Sequence, residues 1–124
     1  MSEFAQKRNI LVVDDDAGVR EVIRAMLESA GFSVSLATNG REAVSMLGST
    51  NYDLILTDLV MPEQEGISTI KEIRQKYPHM KVIAMSGAFG GDYLRIAGYL
   101  GAHGTLAKPI RLESMLKTIA EVLG

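Results

Sequence analysis

Ile10-Leu11-Val12-Val13-Asp14-Asp15-Asp16 is the stretch that decides the fold. Four consecutive apolar residues suit a strand covered on both faces, since a strand with one wet face would alternate. Three consecutive aspartates, half of the six in the chain, come directly after. Working outward, Val19, Val22, Ile23, Met26 and Leu27 repeat at helical spacing, and Gly31 marks a stop. Ser33-Val34-Ser35-Leu36 alternates with period two. Asn39 with Glu42 forms an N-terminal capping arrangement, and Ala43, Val44 and Leu47 make the buried stripe behind it. Leu54-Ile55-Leu56-Thr57 is a third run, followed by a helix carrying Ile67, Ile70, Ile73 and Tyr77 and closed by Pro78. Val82-Ile83-Ala84-Met85 is a fourth. Leu106-Ala107 is the core of a weaker fifth, and Leu112, Met115, Leu116, Ile119, Val122 and Leu123 form a final helix.

Short strands alternating with helix-length stretches predict an α/β fold, with helices on both faces of a parallel sheet. The first, third and fourth runs are apolar throughout and belong inside; the second and fifth are mixed and suit edges. A doubly wound five-stranded sheet of order 2-1-3-4-5, the flavodoxin-like order, satisfies both conditions. Residues 87–104 hold six of the twelve glycines, so a helix there is expected to be the least stable. The absence of repeats, low-complexity tracts and linkers predicts one domain over residues 1–124, with its core at about 8–123.

Composition narrows the function. The net charge is -2, from thirteen basic and fifteen acidic residues, which disfavours non-specific binding to nucleic acid or an anionic membrane. The chain has no cysteine, so disulfides, thiolate zinc sites and a cysteine nucleophile are excluded, and a reducing cytoplasm is the expected location. No apolar run reaches membrane-spanning length, and the N-terminus lacks the layout of a signal peptide.

Ligands of such sheets bind outside the carboxyl ends of the strands. The residues at the end of each run are therefore informative: Asp14, Asp15 and Asp16 after the first, Asp58 after the third, Ser86 after the fourth, Lys108 after the fifth. Taken singly, each has an ordinary explanation, such as a helix cap for Asp16 or a turn residue for Ser86. Together they place acids, a hydroxyl and a lysine on one edge of one sheet. Strands one and three are expected to be neighbours, which brings Asp14, Asp15 and Asp58 together. Two carboxylates ~5 Å apart repel by about 3 kcal/mol at an effective dielectric of 20. The cluster therefore calls for Lys108 and a hard divalent cation, with all-oxygen ligation favouring Mg2+.

These residues resemble the receiver domain of two-component response regulators. The resemblance rests on the opening stretch, on Asp58-Leu59-Val60-Met61-Pro62 with Gly66, on Met85-Ser86-Gly87-Ala88 and on Lys108-Pro109, and it covers roughly residues 8–123. It implies a CheY-like three-layer sandwich and a signalling phosphoacceptor that promotes its own phosphorylation and dephosphorylation, rather than an enzyme. Asp58 would take the phosphoryl group from a sensor histidine kinase or a phosphotransfer protein. Asp14, Asp15, Asp58 and the main-chain carbonyl of Val60 would hold Mg2+. Ser86 would bind a phosphoryl oxygen, Lys108 would pair with Asp58 and then with the phosphoryl group, and a cis bond is expected before Pro109. Output would pass to a downstream protein target or to an output domain absent from this chain, with no direct contact to nucleic acid or membrane. Thr105 departs from the family pattern, which carries Tyr or Phe there and turns that ring inward when the switch operates; Ser86 and Thr105 are the two switch positions. His103 reads as an exposed loop residue, and the seven methionines chiefly as core filler.

Two other readings compete with this one. A strand ending Asp14-x-Asp16 superficially resembles haloacid-dehalogenase-like phosphatases, with Asp14 as nucleophile, but the chain is short, has no lid domain and places Asp58 awkwardly for that scheme. A non-phosphorylated receiver-like binding module would have no need of the complete set Asp14, Asp15, Asp58, Ser86 and Lys108.

Overall fold

The computed structural model describes residues 7–59, 65–87 and 91–124, with the side chains at 65 and 91–94 outside that description. The chain alternates strand and helix throughout: β1 (Asn9–Val13), α1 (Ala17–Ser29), β2 (Ser33–Ala37), α2 (Gly40–Ser49), β3 (Leu54–Asp58), α3 (Glu65–Lys76), β4 (Lys81–Ser86), α4 (Gly91–Tyr99), β5 (Gly104–Ala107) and α5 (Leu112–Leu123). All four strand pairings are parallel and the sheet order is 2-1-3-4-5. The expected α/β architecture is therefore present, with the continuous apolar runs at the centre and the mixed ones at the edges.

Strand side chains point alternately to opposite faces, and the core divides accordingly. Leu11, Val13, Ile55, Val82 and Ala84 face α2, α3 and α4, where they meet Ala43, Leu47, Ile70, Ile73 and Ala97. Ile10, Val12, Leu54, Leu56, Ile83 and Met85 face the other way and pack with Ile23 and Leu27 of α1 and Met115 and Ile119 of α5. Two apolar layers around one sheet make the three-layer sandwich.

The helix ends follow local chemistry. Asp16 caps α1 by accepting from the Val19 N–H at 3.1 Å. Asn39 caps α2 by accepting from the Glu42 N–H at 2.8 Å, and the Glu42 carboxylate reaches back to the Thr38 N–H at 2.7 Å. Helix α1 ends in a Schellman turn: the Gly31 N–H donates to Glu28, the Phe32 N–H donates to Leu27, and Gly31 adopts φ +96°. The glycine-rich segment does form a helix, α4, whose nine residues make it the shortest of the five. It closes with the same turn, using Gly101 at φ +102°.

His103 is exposed, as its loop position suggests, but it is not idle. Its Nδ1 accepts from the Val82 N–H at 3.1 Å, while its own N–H donates to the Val82 carbonyl at 2.7 Å. Partial desolvation of the ring where it packs against β4, then the charges of Arg74 and Lys81, lower its pKa below the ordinary 6.5. The fold thus favours the neutral ring. This contribution is complete above about pH 6.5 and is lost as pH falls through the lower folded-state value. Urea denaturation at pH 7.5 and 5 should show wild type losing more stability on acidification than His103→Asn; equal losses would mean that the ring contributes nothing.

Candidate functional site

The carboxyl ends of β1, β3, β4 and β5 lie side by side. Asp58 is the last residue of β3 and sits opposite Met85; Ser86 is the last residue of β4 and sits opposite Ala107. Asp14 follows β1 directly, and Lys108 follows β5. Asp14, Asp58 and Ser86 are at most 3% exposed, whereas Asp15 is open to solvent. Polar groups so deeply buried are costly without partners, and the surroundings supply them.

Asp14 is held on every side. Its N–H donates to the Ala37 carbonyl at 3.2 Å. Its Oδ1 accepts from the Asp16 N–H at 2.9 Å, its Oδ2 accepts from Lys108 Nζ at 2.7 Å, and its carbonyl accepts from Arg20 Nη1 at 2.7 Å. Lys108 also lies 3.2 Å from Asp58 Oδ2, so one ammonium bridges both buried carboxylates, closer to Asp14 than to Asp58. Burial alone would lower the Lys108 pKa, but the hydrogen bond to Asp14 and the charges of Asp58 and Asp14 outweigh it. The pKa is raised, which keeps the ammonium charged at neutral pH. The Lys108 N–H donates to the Ser86 carbonyl at 3.0 Å, and the Lys108–Pro109 peptide bond is cis.

Carboxylate oxygens of Asp14, Asp15 and Asp58 lie within 4.8 Å of one another. Three carboxylates against one ammonium leave the pocket negative, and the donors are all oxygen. That set fits a hard divalent cation that retains water on its open side, where Asp15 meets solvent. Asp16 turns away to cap α1. Val60, Met61, Pro62 and Ala88 lie outside the described residues, so the Val60 carbonyl has no position here. Thr105 is exposed on β5 opposite Ala84, at a pocket of about 440 Å³ lined also by Arg111 and Ser114.

Two close approaches shape the site. A Cβ on Gly66, at the start of α3, would stand 2.3 Å from the Asp58 carbonyl oxygen and 2.6 Å from Leu59 Cα. A Cβ on Gly87 would stand 2.9 Å from Lys108 Cβ. Sequence reasoning noted Gly66 and Gly87 only as motif positions and missed Arg20 altogether. The signal for Arg20 was available: it shares an i, i+3, i+7 stripe with Ile23 and Leu27, both buried, where a charge needs a partner inside.

Known proteins agree with this geometry. The family described as the response regulator receiver domain matches residues 10–120. The chain is 39% identical over 115 residues to a transcriptional regulatory protein CpxR homolog of Haemophilus influenzae, covering 92% of this chain and 49% of that protein. It is 36% identical over 115 residues to the transcriptional regulatory protein ZraR of Klebsiella oxytoca, covering 93% and 26% respectively. The chain thus spans between a quarter and a half of these relatives. Among solved structures, a response regulator receiver domain protein from Clostridium thermocellum superposes with a TM-score of 0.86 at 30% identity, covering 94% of each chain. A CheY-like receiver domain protein from Methanospirillum hungatei gives 0.87 at 26%, covering 95% of this chain and 94% of that one. The sheet order, the residues at its carboxyl edge and these likenesses converge: the chain belongs to the response regulator receiver domain family.

Proposed function

We propose that the protein accepts a phosphoryl group on Asp58 from a phosphohistidine of a sensor histidine kinase or phosphotransfer protein, and thereby switches a protein-interaction surface. The observation that carries this reading is the Asp58 carboxylate, buried at the end of β3 and 3.2 Å from Lys108. A carboxylate oxygen of Asp58 attacks phosphorus, the P–N bond breaks, and its electron pair leaves on the imidazole nitrogen, which then takes up a proton. Such transfer depends on positioning and on neutralising the equatorial oxygens, more than on covalent chemistry by the protein. Lys108 supplies one fixed positive charge. Asp14, Asp15 and Asp58, with the Val60 carbonyl that the family resemblance implies, would hold Mg2+, which when bound would supply the rest of the neutralisation. Ser86, at the neighbouring strand end, donates its hydroxyl to a phosphoryl oxygen.

The product adds charge at the junction of β3 and β4, and the response passes through Ser86 towards β5 and α4. Thr105 stands on that route without an aromatic ring, so the output surface changes by movement of backbone and of smaller side chains. The output is a protein target or an output domain, in keeping with relatives of which this chain matches only a part.

The test is incubation with Mg2+ and acetyl phosphate, followed by mass spectrometry of the trapped acyl phosphate. One added phosphoryl group at Asp58, dependent on Mg2+ and absent from Asp58→Asn, is the expected result. Modification at Asp14 would indicate phosphatase-type chemistry, and no modification would indicate a binding module; either defeats the proposal.

A further inference from the structure

Arg20 is a cation in an unexpected place. It is the fourth residue of α1, half-buried, and spends a guanidinium N–H on the carbonyl of Asp14 at 2.7 Å. That carbonyl belongs to the peptide joining Asp14 to Asp15. The two aspartates differ sharply in how they are fixed. Asp14 is pinned through both carboxylate oxygens, by Lys108 and by the Asp16 N–H. The Asp15 carboxylate is exposed and has no hydrogen bond among the described residues. Its direction therefore depends on its backbone, and the peptide plane before it is set by Arg20.

We propose that Arg20 is a positioning residue for the divalent-cation site: by fixing the Asp14–Asp15 peptide it aims the Asp15 carboxylate at the position shared with Asp14 and Asp58. This rests on the cation site proposed above. Arg20 touches neither the phosphoryl group nor the ion, and its charge acts against the role assigned to it. A guanidinium beside the cluster repels a divalent cation, so electrostatics alone predicts tighter binding once it is removed. Positioning predicts weaker binding. The two effects have opposite signs, which makes the measurement decisive.

Mn2+ binding to the intact protein, followed by the electron paramagnetic resonance signal of the free ion, reads the site without any phosphoryl chemistry. Arg20→Met keeps the aliphatic stem and removes the donor, and should weaken Mn2+ binding by about 10–100-fold, the usual cost of losing a group that orients a metal ligand. Arg20→Lys keeps the charge and one donor, and should fall between the two. Arg24→Ala, which removes an exposed arginine paired with Glu21, should bind as wild type does. At saturating Mg2+ the rate of phosphoryl uptake by Arg20→Met should return close to the wild-type rate, because the defect lies in cation affinity. Wild-type or tighter Mn2+ binding by Arg20→Met overturns the proposal. If that variant does not fold, Arg20→Lys decides at constant charge, and wild-type affinity there overturns it equally. A wild-type protein that binds no Mn2+ would instead remove the cation site itself.

Discussion

Lys108→Met should slow phosphoryl uptake from acetyl phosphate by about 10²–10³-fold, the range for removing one preorganised group that stabilises developing charge. The argument starts from one ammonium placed 2.7 Å from Asp14 and 3.2 Å from Asp58. Without it the incoming phosphoryl oxygens meet three carboxylates with no fixed lysine charge between them. Methionine preserves most of the stem, so packing against Gly87 survives and the loss is electrostatic. The same change should tighten Mn2+ binding, since an oxygen of Asp14 is released and the pocket becomes more negative. It should also lower stability in the absence of divalent ions, because Asp14 is fully buried, and added Mg2+ should recover part of that loss. Stopped-flow uptake, Mn2+ titration and thermal unfolding with and without Mg2+ test the three statements. An uptake rate within tenfold of wild type would show that Lys108 is not what neutralises the transferred group.

Gly66→Ala should destabilise the protein by about 3 kcal/mol, the upper part of the usual range for overpacking a filled interior. The added methyl has nowhere to go. Its nearest neighbours would be the Asp58 carbonyl oxygen at 2.3 Å, Leu59 Cα at 2.6 Å and the Leu59 carbonyl oxygen at 2.7 Å, all of them backbone atoms. No side-chain rotation relieves that contact, so the start of α3 must lift away from the end of β3. For a chain of this length the change corresponds to a fall in melting temperature of roughly 10 °C. Because the displaced backbone carries Asp58, the phosphoryl-uptake rate should fall as well, at temperatures where the variant remains folded. Thermal unfolding beside wild type checks the first effect, and a melting temperature within about 2–3 °C of wild type, on the same scale, would show that α3 yields without cost.

The sheet was legible because each strand's burial was written in its composition. Ile10–Val13, Leu54–Thr57 and Val82–Met85 carry no polar alternation, and only central strands tolerate that. Gly31 and Asn39 were equally plain, since a positive φ and an N-terminal cap each demand a small set of residue types. The cluster of Asp14, Asp15, Asp58 and Lys108 followed once the strand order put their positions side by side. What the sequence concealed were relations that depend on distance alone. Nothing in residues 14–20 says that Arg20 bends back to a carbonyl, and its place on an apolar stripe marked it only as a charge in want of a partner. Gly66 meets the backbone of Asp58 through the angle at which α3 leaves its strand, and residue types do not encode that angle. Lys108 was expected beside Asp58; that it lies closer to Asp14 is set by distances that residue types do not encode.

The four bonds made by Asp14 have a bearing on how the chain acquires its activity. They come from β2 at one edge of the sheet, from the cap and first turn of α1, and from the residue after β5 at the other edge, ninety-four positions along the chain. Asp14 therefore closes a circuit between the first strand of the sheet to be synthesised and the last. Until β5 has docked, no lysine stands between the buried acids. Partly folded forms and fragments ending short of Lys108 thus lack that fixed charge, and under the function proposed above a kinase that meets them transfers to Asp58 far more slowly. Under that function the full rate of phosphoryl uptake would come only with the docking of β5, joined to β1 through the Asp14 carboxylate.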